Sequence, residues 1–254
     1  MRSTFAILGI FFTLNLYAST RINDTSENTY AFRSGAPLTV ETENGSIRVR
    51  AGDDGQVHVI AHTHVQADSD VVGRRIMADL KPRVSQDGGG LKLVVPELRR
   101  EDDGIEGGVS FEITIPRSAE LSLNATNGAI DVHGVRGAEL LRTTNGHITV
   151  ERASGSVDAE TTNGSVRVEL LDVTPGRALR FITTNGSITA SVPSNLSADV
   201  DASTTNGVIR SDFPILTSDA ERHTLRGSIN GGGSELKART TNGSITIRSG
   251  AARD

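Results

Sequence analysis

The stretch from Ala125 to Val166 reads ATNGAIDVHGVRGAELLRTTNGHITVERASGSVDAETTNGSV and repeats one short pattern three times. Asn-Gly recurs at Asn127, Asn145 and Asn163, at intervals of 18 residues, and Ser154-Gly155 lies nine residues from the two nearest Asn residues. A fixed period near 20 residues is typical of solenoids. The sequence therefore predicts an all-β chain, a parallel β-solenoid with about 18 residues per coil and two short strands in each coil.

The same pattern occurs outside this stretch. Ile or Val stands three positions after each repeat Asn, and polar residues alternate with apolar ones around it, which is typical of a strand with one buried face. Asn-Gly at the head of the strand predicts a corner that passes through positive φ, with the Asn amides hydrogen-bonded in a ladder. The predicted corner residues are Asn44, Gly45, Asn127, Gly128, Asn145, Gly146, Asn163, Gly164, Asn185, Gly186, Asn206, Gly207, Asn242 and Gly243.

Two architectures fit strands that begin at Asn-Gly. Asn-Gly between alternating strands is also a strong hairpin signal and would give an antiparallel meander. Identical cassettes favour the parallel stack instead, because like strands then lie on like strands about 4.8 Å apart. We expect loops at 171–176 and 212–214, where Pro interrupts the pattern. The stretch 226–229 reads as a degenerate copy inside the last, 36-residue interval.

The chain divides into four predicted parts. Residues 1–18 are typical of a signal peptide, because an apolar stretch over 5–16 follows Arg2 and Ala18 is the small residue before the predicted cleavage site. Residues 19–116 predict a β-rich N-terminal cap with a short amphipathic helix over 68–80, a hairpin around 87–90 and a charged loop over 99–108. Residues 117–250 carry the solenoid repeats, and 251–254 form a tail.

Composition excludes several classes of protein. The 254 residues contain no Cys, which excludes a disulfide scaffold, and the net charge of −5 argues against a nucleic-acid binder. No apolar run reaches the roughly 18 residues that a membrane span needs. We therefore expect no transmembrane segment in the mature chain. The predicted signal peptide indicates an exported protein, in the periplasm, at the cell surface or secreted.

The run from Val109 to Val166, with a strand ending in Ile-Pro followed by alternating T-N-G and S-G half-coils, resembles a family of bacterial adhesin-like Asn-Gly repeat β-solenoid proteins. The resemblance extends with lower fidelity over 38–250. It implies an exported β-solenoid near the bacterial envelope, and it implies no catalytic residues.

Few residues suggest chemistry. His58, His62 and His64 share one strand face, where alternate histidines can chelate a metal, although a solvated polar face is the simpler interpretation. Asp158 and Glu160 have the separation that a glycosidase needs, but so does any alternating pair on a strand. The sequence contains no Walker loop, HExxH motif or G-x-S-x-G elbow. We predict no enzyme, no catalytic residue, no cofactor and no metal.

The predicted function is therefore non-catalytic. We expect an adhesin or envelope scaffold that acts by multivalent surface binding to an envelope or extracellular partner, either polysaccharide or protein. The outward positions of Arg48, Arg167 and Arg210 contribute to the predicted polar surface. A passive structural spacer and a polysaccharide-active enzyme on a β-helix are the alternatives.

Overall fold

The computed structural model describes residues 20–52, 55–98, 105–221 and 223–250. The predicted signal peptide at 1–18, the tail at 251–254 and most of the charged loop predicted over 99–108 lie outside these ranges. The described residues form twenty strands and one helix, so the predicted all-β class is confirmed. No helix among them is long and apolar enough to cross a membrane.

The elements follow one another along the chain with short connections. The N-terminal part contains β1 Thr20–Ala31, β2 Pro37–Asn44, β3 Ile47–Gly52, β4 Gln56–Ala67, α1 Asp70–Asp79, β5 Arg83–Asp87, β6 Gly90–Val94 and β7 Glu106–Pro116. The middle contains β8 Glu120–Asn127, β9 Ile130–His133, β10 Arg136–Asn145, β11 Ile148–Asn163, β12 Val166–Val173, β13 Leu179–Ile182 and β14 Ile188–Pro193. The C-terminal part contains β15 Ala198–Asn206, β16 Ile209–Ser211, β17 Leu216–Glu221, β18 Thr224–Ile229, β19 Ser234–Asn242 and β20 Ile245–Gly250.

Hydrogen-bonded neighbours follow two routes through the sheet, which we call the first side and the second side. The first side runs β1, β4, β7, β3, β9, β11, β12, β14, β20 and β16. The second side runs β5, β6, β2, β8, β10, β11, β13, β19, β15, β18 and β17. Strand β11 belongs to both, because its first half pairs on the first side and its second half on the second.

Successive repeats pair in parallel and in register. Asn145 lies opposite Asn127 on one neighbour and opposite Asn163 on the other. The coil between Asn145 and Asn163 differs from the expected pair of short strands, because β11 continues through both halves. Arg152 takes a φ of 53° within it, and the register with β12 shifts there. A bend inside one long strand thus replaces the corner that separates the strands of other coils.

The order of the coils in the stack differs from their order along the chain. Strand β19, which ends at Asn242, lies between β13 and β15, and β20 lies between β14 and β16. The repeat of Asn242 is therefore inserted between those of Asn185 and Asn206. Like strands lie on like strands here as expected, but not in their order along the chain.

The stretch 226–229 is not a parallel half-coil, so the prediction of a degenerate repeat copy there is wrong. Strand β18 contains it and runs antiparallel to both β15 and β17. The turn at 230–233 then passes the N-terminal end of β15, so that β19 begins on the other side of that strand. Asn230 has a φ of 48° and donates its side-chain amide to the carbonyl oxygens of Ser194 and Leu196, which holds the crossing in place.

Antiparallel elements cover the N-terminal end of the stack. The hairpin expected around 87–90 joins β5 to β6, and the expected helix is α1, whose Ser69 side chain accepts from the Val72 amide. The division at residue 116 stays a prediction. In the structure β2 and β3, from before that boundary, pair in parallel with β8 and β9, from after it.

Ile, Val, Leu and Ala from both sides form one hydrophobic cluster. The residue three positions after the corner Asn is buried in six of the seven repeats, and the six are Ile47, Ile130, Ile148, Val166, Ile188 and Ile245. Period-two alternation places these side chains inward, and the polar side chains between them face outward.

Candidate functional site

The corner residues predicted from the sequence lie together along one edge of the stack. Each Asn side-chain amide donates to the side-chain oxygen of the Asn in the neighbouring repeat, at 2.7–2.8 Å. The ladder runs in the order Asn44, Asn127, Asn145, Asn163, Asn185, Asn242 and Asn206. Asn44 ends it by donating to the carbonyl oxygen of Gly107 at 3.3 Å. All six bonds point the same way, so the ladder has a fixed direction.

Close stacking of the coils requires glycine at the corners, because it leaves no room there for a side chain. A Cβ atom at Gly164 would overlap the carbonyl oxygen of Gly146, and one at Gly146 would overlap that of Gly128. A positive φ was expected at these glycines, and this is wrong for Gly128, Gly146, Gly164, Gly186 and Gly207, which lie outside the left-handed region. Among the seven corner glycines, only Gly45 and Gly243 have a positive φ in this region, at 145° and 159°.

A buried threonine lies under most corners, two positions before the Asn. The Thr161 hydroxyl donates to the carbonyl oxygen of Gly146 at 2.9 Å, and the Thr183 hydroxyl to that of Gly164 at 2.7 Å. The same bond is formed by Thr143, Thr204 and Thr240 to Gly128, Gly243 and Gly186. Because each hydroxyl reaches into the neighbouring repeat, these threonines link the coils inside the stack. The doubled Thr before five of the seven corner Asn residues is the sequence signal for this role.

In six of the seven repeats a threonine one position before the Asn faces solvent. Since the coils stack in register, these residues form one exposed row along the corner, which we call the threonine row: Thr126, Thr144, Thr162, Thr184, Thr241 and Thr205. Neighbouring members are one strand spacing apart, about 4.8 Å. The row is a repeated, hydroxyl-bearing surface next to the Asn ladder.

The carboxylates that resemble a glycosidase pair are engaged in ion pairs. Arg142 forms a bidentate contact to Asp158, with both N–O distances at 2.9 Å, and Arg180 contacts Asp158 at 3.0 Å and Glu160 at 2.8 Å. Burial opposes the ionisation of Asp158, but the hydrogen bonds from the two arginines outweigh it and lower its pKa. A general acid needs a raised pKa, so this cluster is suited to joining strands rather than to acid catalysis.

Two of the three histidines of β4 contact the neighbouring edge strand, and the third lies opposite a residue of it. The Nδ1 atoms of His62 and His58 lie 3.1 and 3.0 Å from the hydroxyls of Thr25 and Thr29 on β1, and His64 lies opposite Asn23. Within the described ranges no three His, Asp or Glu side chains are grouped as they would be around a metal ion.

Outward rows of mixed charge cross the first side. Arg48 lies in register with Asp131, which is followed by Thr149 and Arg167. Arg210 belongs to the same row at the C-terminal end of the stack, next to Thr246. The structure therefore places the three predicted arginines in one row, separated by Asp and Thr.

Glu139 is a functional candidate that the sequence reasoning missed. It faces inward between Leu121 and Val157, with 3% of its surface exposed, and neither carboxylate oxygen has a hydrogen-bond partner among the residues that the structure describes. Burial raises its pKa to about 8. The 18-residue repeat period indicates this position. Glu139 stands 18 residues after Leu121 and 18 before Val157, so the repeat register places its side chain inward.

A model of the Toastrack DUF4097 family matches residues 36–248 of the sequence. The chain belongs to this family. The match begins just before β2 and ends in β20, so it covers all but the last two residues of the parallel stack of this Toastrack chain. No curated protein matches the sequence.

Solved structures show distant likeness to this Toastrack chain. A "putative cell adhesion protein" from Clostridium sporogenes is 12% identical, with 91% of this chain and 100% of that chain covered and a TM-score of 0.45. A "putative adhesin" from Bacteroides fragilis is 13% identical, with 89% and 97% covered and a TM-score of 0.39. A "putative lipid binding protein" from Parabacteroides distasonis is 8% identical, with 91% and 96% covered and a TM-score of 0.34.

Proposed function

We propose that this Toastrack chain is an exported, non-catalytic parallel β-solenoid that binds an envelope or extracellular partner through repeated polar rows on its surface. The observation that carries the proposal is the Asn ladder, which holds seven repeats in one register. The register turns single exposed residues into rows of evenly spaced, identical groups. Such a surface matches a partner that is itself repetitive, such as a polysaccharide or a second repeat protein.

The mechanism we propose is multivalent contact. Each threonine of the threonine row offers one hydroxyl, and one hydrogen bond exposed to water contributes only about 1 kcal/mol. A partner with a matching repeat engages several rungs at once, and the later contacts form at a high effective concentration. A flat, rigid row also loses little conformational entropy on binding.

Export is part of the proposal and rests on the sequence. The apolar stretch over 5–16, followed by the small residue Ala18, is typical of a signal peptide, and a mature chain would then begin near Ser19. A stack without Cys needs no oxidising compartment to fold, and it is equally compatible with the periplasm, the cell surface and secretion.

The proposal is tested with the mature chain and a variant of its threonine row. Thr144, Thr162 and Thr184 are replaced together by Ala, and both proteins are compared on a glycan array and in pull-down from the native envelope fraction. We expect the wild-type chain to retain a partner and the triple variant to lose at least about tenfold in affinity, which corresponds to 1.4 kcal/mol.

A matched control replaces Asn23, Ser26 and Ser85 by Ala, which are also exposed but lie outside the corner. This control should bind like the wild type. A wild-type chain that retains nothing in either assay would support the passive spacer. Turnover of a bound polysaccharide, abolished by a single Asp or Glu substitution, would support the enzyme.

A further inference from the structure

The outer surface of the first side has two adjoining depressions near its N-terminal end. One has a volume of about 400 Å³ and lies over β3, β9 and β11, and the other has about 290 Å³ and lies over β4, β7 and β3. They share Arg48 and Arg50. Together they form one polar trough across five strands, in the size range of small-molecule sites.

Two outward rows of side chains line the trough. One row runs His58, Thr114, Arg50, His133 and Glu151 from strand to strand. The other runs Ile60, Glu112, Arg48, Asp131 and Thr149. Since neighbouring strands are about 4.8 Å apart, each arginine lies within one or two strands of a carboxylate.

The two arginines differ in their contacts. Arg48 lies 3.6 Å from Glu112 and 3.5 Å from Asp131, with about half of each side chain exposed. Ion pairs with this exposure are weak and exchange readily with other hydrogen-bonding groups. Arg50 is exposed and has no ion pair or side-chain hydrogen bond with any residue in the described ranges. Its guanidinium group is therefore open to a ligand.

The charges of the trough select the class of ligand. Its lining contains two arginines against three carboxylates, Glu112, Asp131 and Glu151. An anionic ligand would be repelled by the carboxylates, and a cationic one would meet the two guanidinium groups. A sugar hydroxyl both donates and accepts, so vicinal hydroxyls can satisfy an arginine and a carboxylate on adjacent strands together. Ile60 adds a small apolar surface for the C–H groups of a sugar ring.

We propose that this trough is a subsite for one uncharged sugar unit, held by Arg50 and by the Arg48–Asp131 pair. The inference rests on the proposed function, because it assigns one position on the same binding surface. It differs from the threonine row in location and in chemistry. The row would bind the length of a repetitive partner, and the trough would recognise a single unit of it.

The test is an NMR titration of the mature chain with neutral, anionic and cationic trisaccharides. Cellotriose and maltotriose are the neutral probes, trigalacturonate is the anionic one and the chitosan trimer is the cationic one. We expect a neutral probe to shift the amide signals of Arg50 and His133 most, with weaker effects from both charged probes. Arg50→Ala and Asp131→Asn should each weaken binding by about tenfold, as expected for hydrogen bonds to charged groups.

Arg83→Ala is the matched control, because Arg83 is also exposed but lies on β5, outside the outward rows that line the trough. It should leave affinity for the neutral probe unchanged. Stronger binding of trigalacturonate, or equal binding by Arg50→Ala and wild type, would overturn the subsite. Envelope capture that persists while no neutral probe shifts these amides would overturn the subsite and leave the proposed function standing. If the wild-type chain captures no partner from the envelope fraction, the proposed function itself is overturned.

Discussion

The side-chain amide of Asn163 donates a hydrogen bond to the side-chain oxygen of Asn145 at 2.8 Å. Asn163 also accepts one from Asn185 at the same distance. Every interior rung of the ladder therefore takes part in two such bonds. Asn206, the last rung, takes part in one, which it donates to Asn242. This difference allows the contribution of the ladder to stability to be measured within one protein.

Replacing an interior rung should cost more than replacing the last one. Asn163→Ala removes two hydrogen bonds, and we expect the free energy of unfolding to fall by about 1–2 kcal/mol. Asn206→Ala should cost about half as much. Urea unfolding followed by circular dichroism measures both. Equal losses for the two variants would mean that the ladder bonds contribute nothing beyond the local preference for Asn.

A methyl group at a corner glycine should be far more damaging. In Gly164→Ala the new Cβ would overlap the carbonyl oxygen of Gly146, which belongs to the backbone and cannot move without separating two coils. We expect a loss of more than about 3 kcal/mol, or failure to accumulate as soluble protein. Gly55→Ala is the control, because a Cβ there meets no atom within 4 Å. A stable Gly164→Ala variant would contradict the close-stacking explanation.

The buried threonines allow two predictions about stability, one of a loss and one of a gain. Thr161→Val keeps the shape but leaves the carbonyl oxygen of Gly146 without this donor, so we expect a loss of about 1 kcal/mol. Ala125 occupies the same position in another coil, where the repeat register directs a hydroxyl toward Gly45. Ala125→Thr should therefore gain up to about 1 kcal/mol. Thermal unfolding measures both variants, and unchanged stability of Thr161→Val would show that the hydroxyl does not link the coils.

The sequence pattern predicts some features of this fold well because they depend on local spacing. The inward rows of Ile and Val, the α1 helix and the hairpin between β5 and β6 all follow from period and turn chemistry. The order of the coils in the stack does not follow from period and turn chemistry. The cassettes at 183–188 and 240–245 are identical, so no local preference distinguishes which of them lies next to the coil of Asn163. The crossing turn at 230–233 decides the order through contacts that are distant in sequence.

The candidate site shows the same division. The repeat period places the threonine row and the arginines of the first side in outward rows, and these positions could be read from the sequence. The trough could not, because it requires β4 and β7 to lie beside β3, and no repeat signal connects those strands. Arg50 is outside the predicted corner set for this reason, although it is six residues from Asn44.

The buried carboxyl of Glu139 makes a prediction about pH. Its pKa in the folded chain is about 8, against an ordinary value of 4.5. Between these two values the folded chain keeps the proton while the unfolded chain loses it, so raising the pH favours unfolding. Below about pH 4.5 both states are protonated and the effect vanishes. Above about pH 8 both states are ionised and the penalty is constant.

We therefore expect the free energy of unfolding to fall as pH rises from 5 to 8, with a contribution from Glu139 approaching about 1.4 kcal/mol per pH unit. Glu139→Gln should remove this contribution, because the amide does not titrate. Glu120→Gln is the matched control: Glu120 is exposed on the adjacent strand β8, and its replacement should leave the slope unchanged. Urea midpoints measured at several pH values compare the three proteins. Parallel curves for wild type and Glu139→Gln would show that Glu139 reaches solvent or a partner when it ionises.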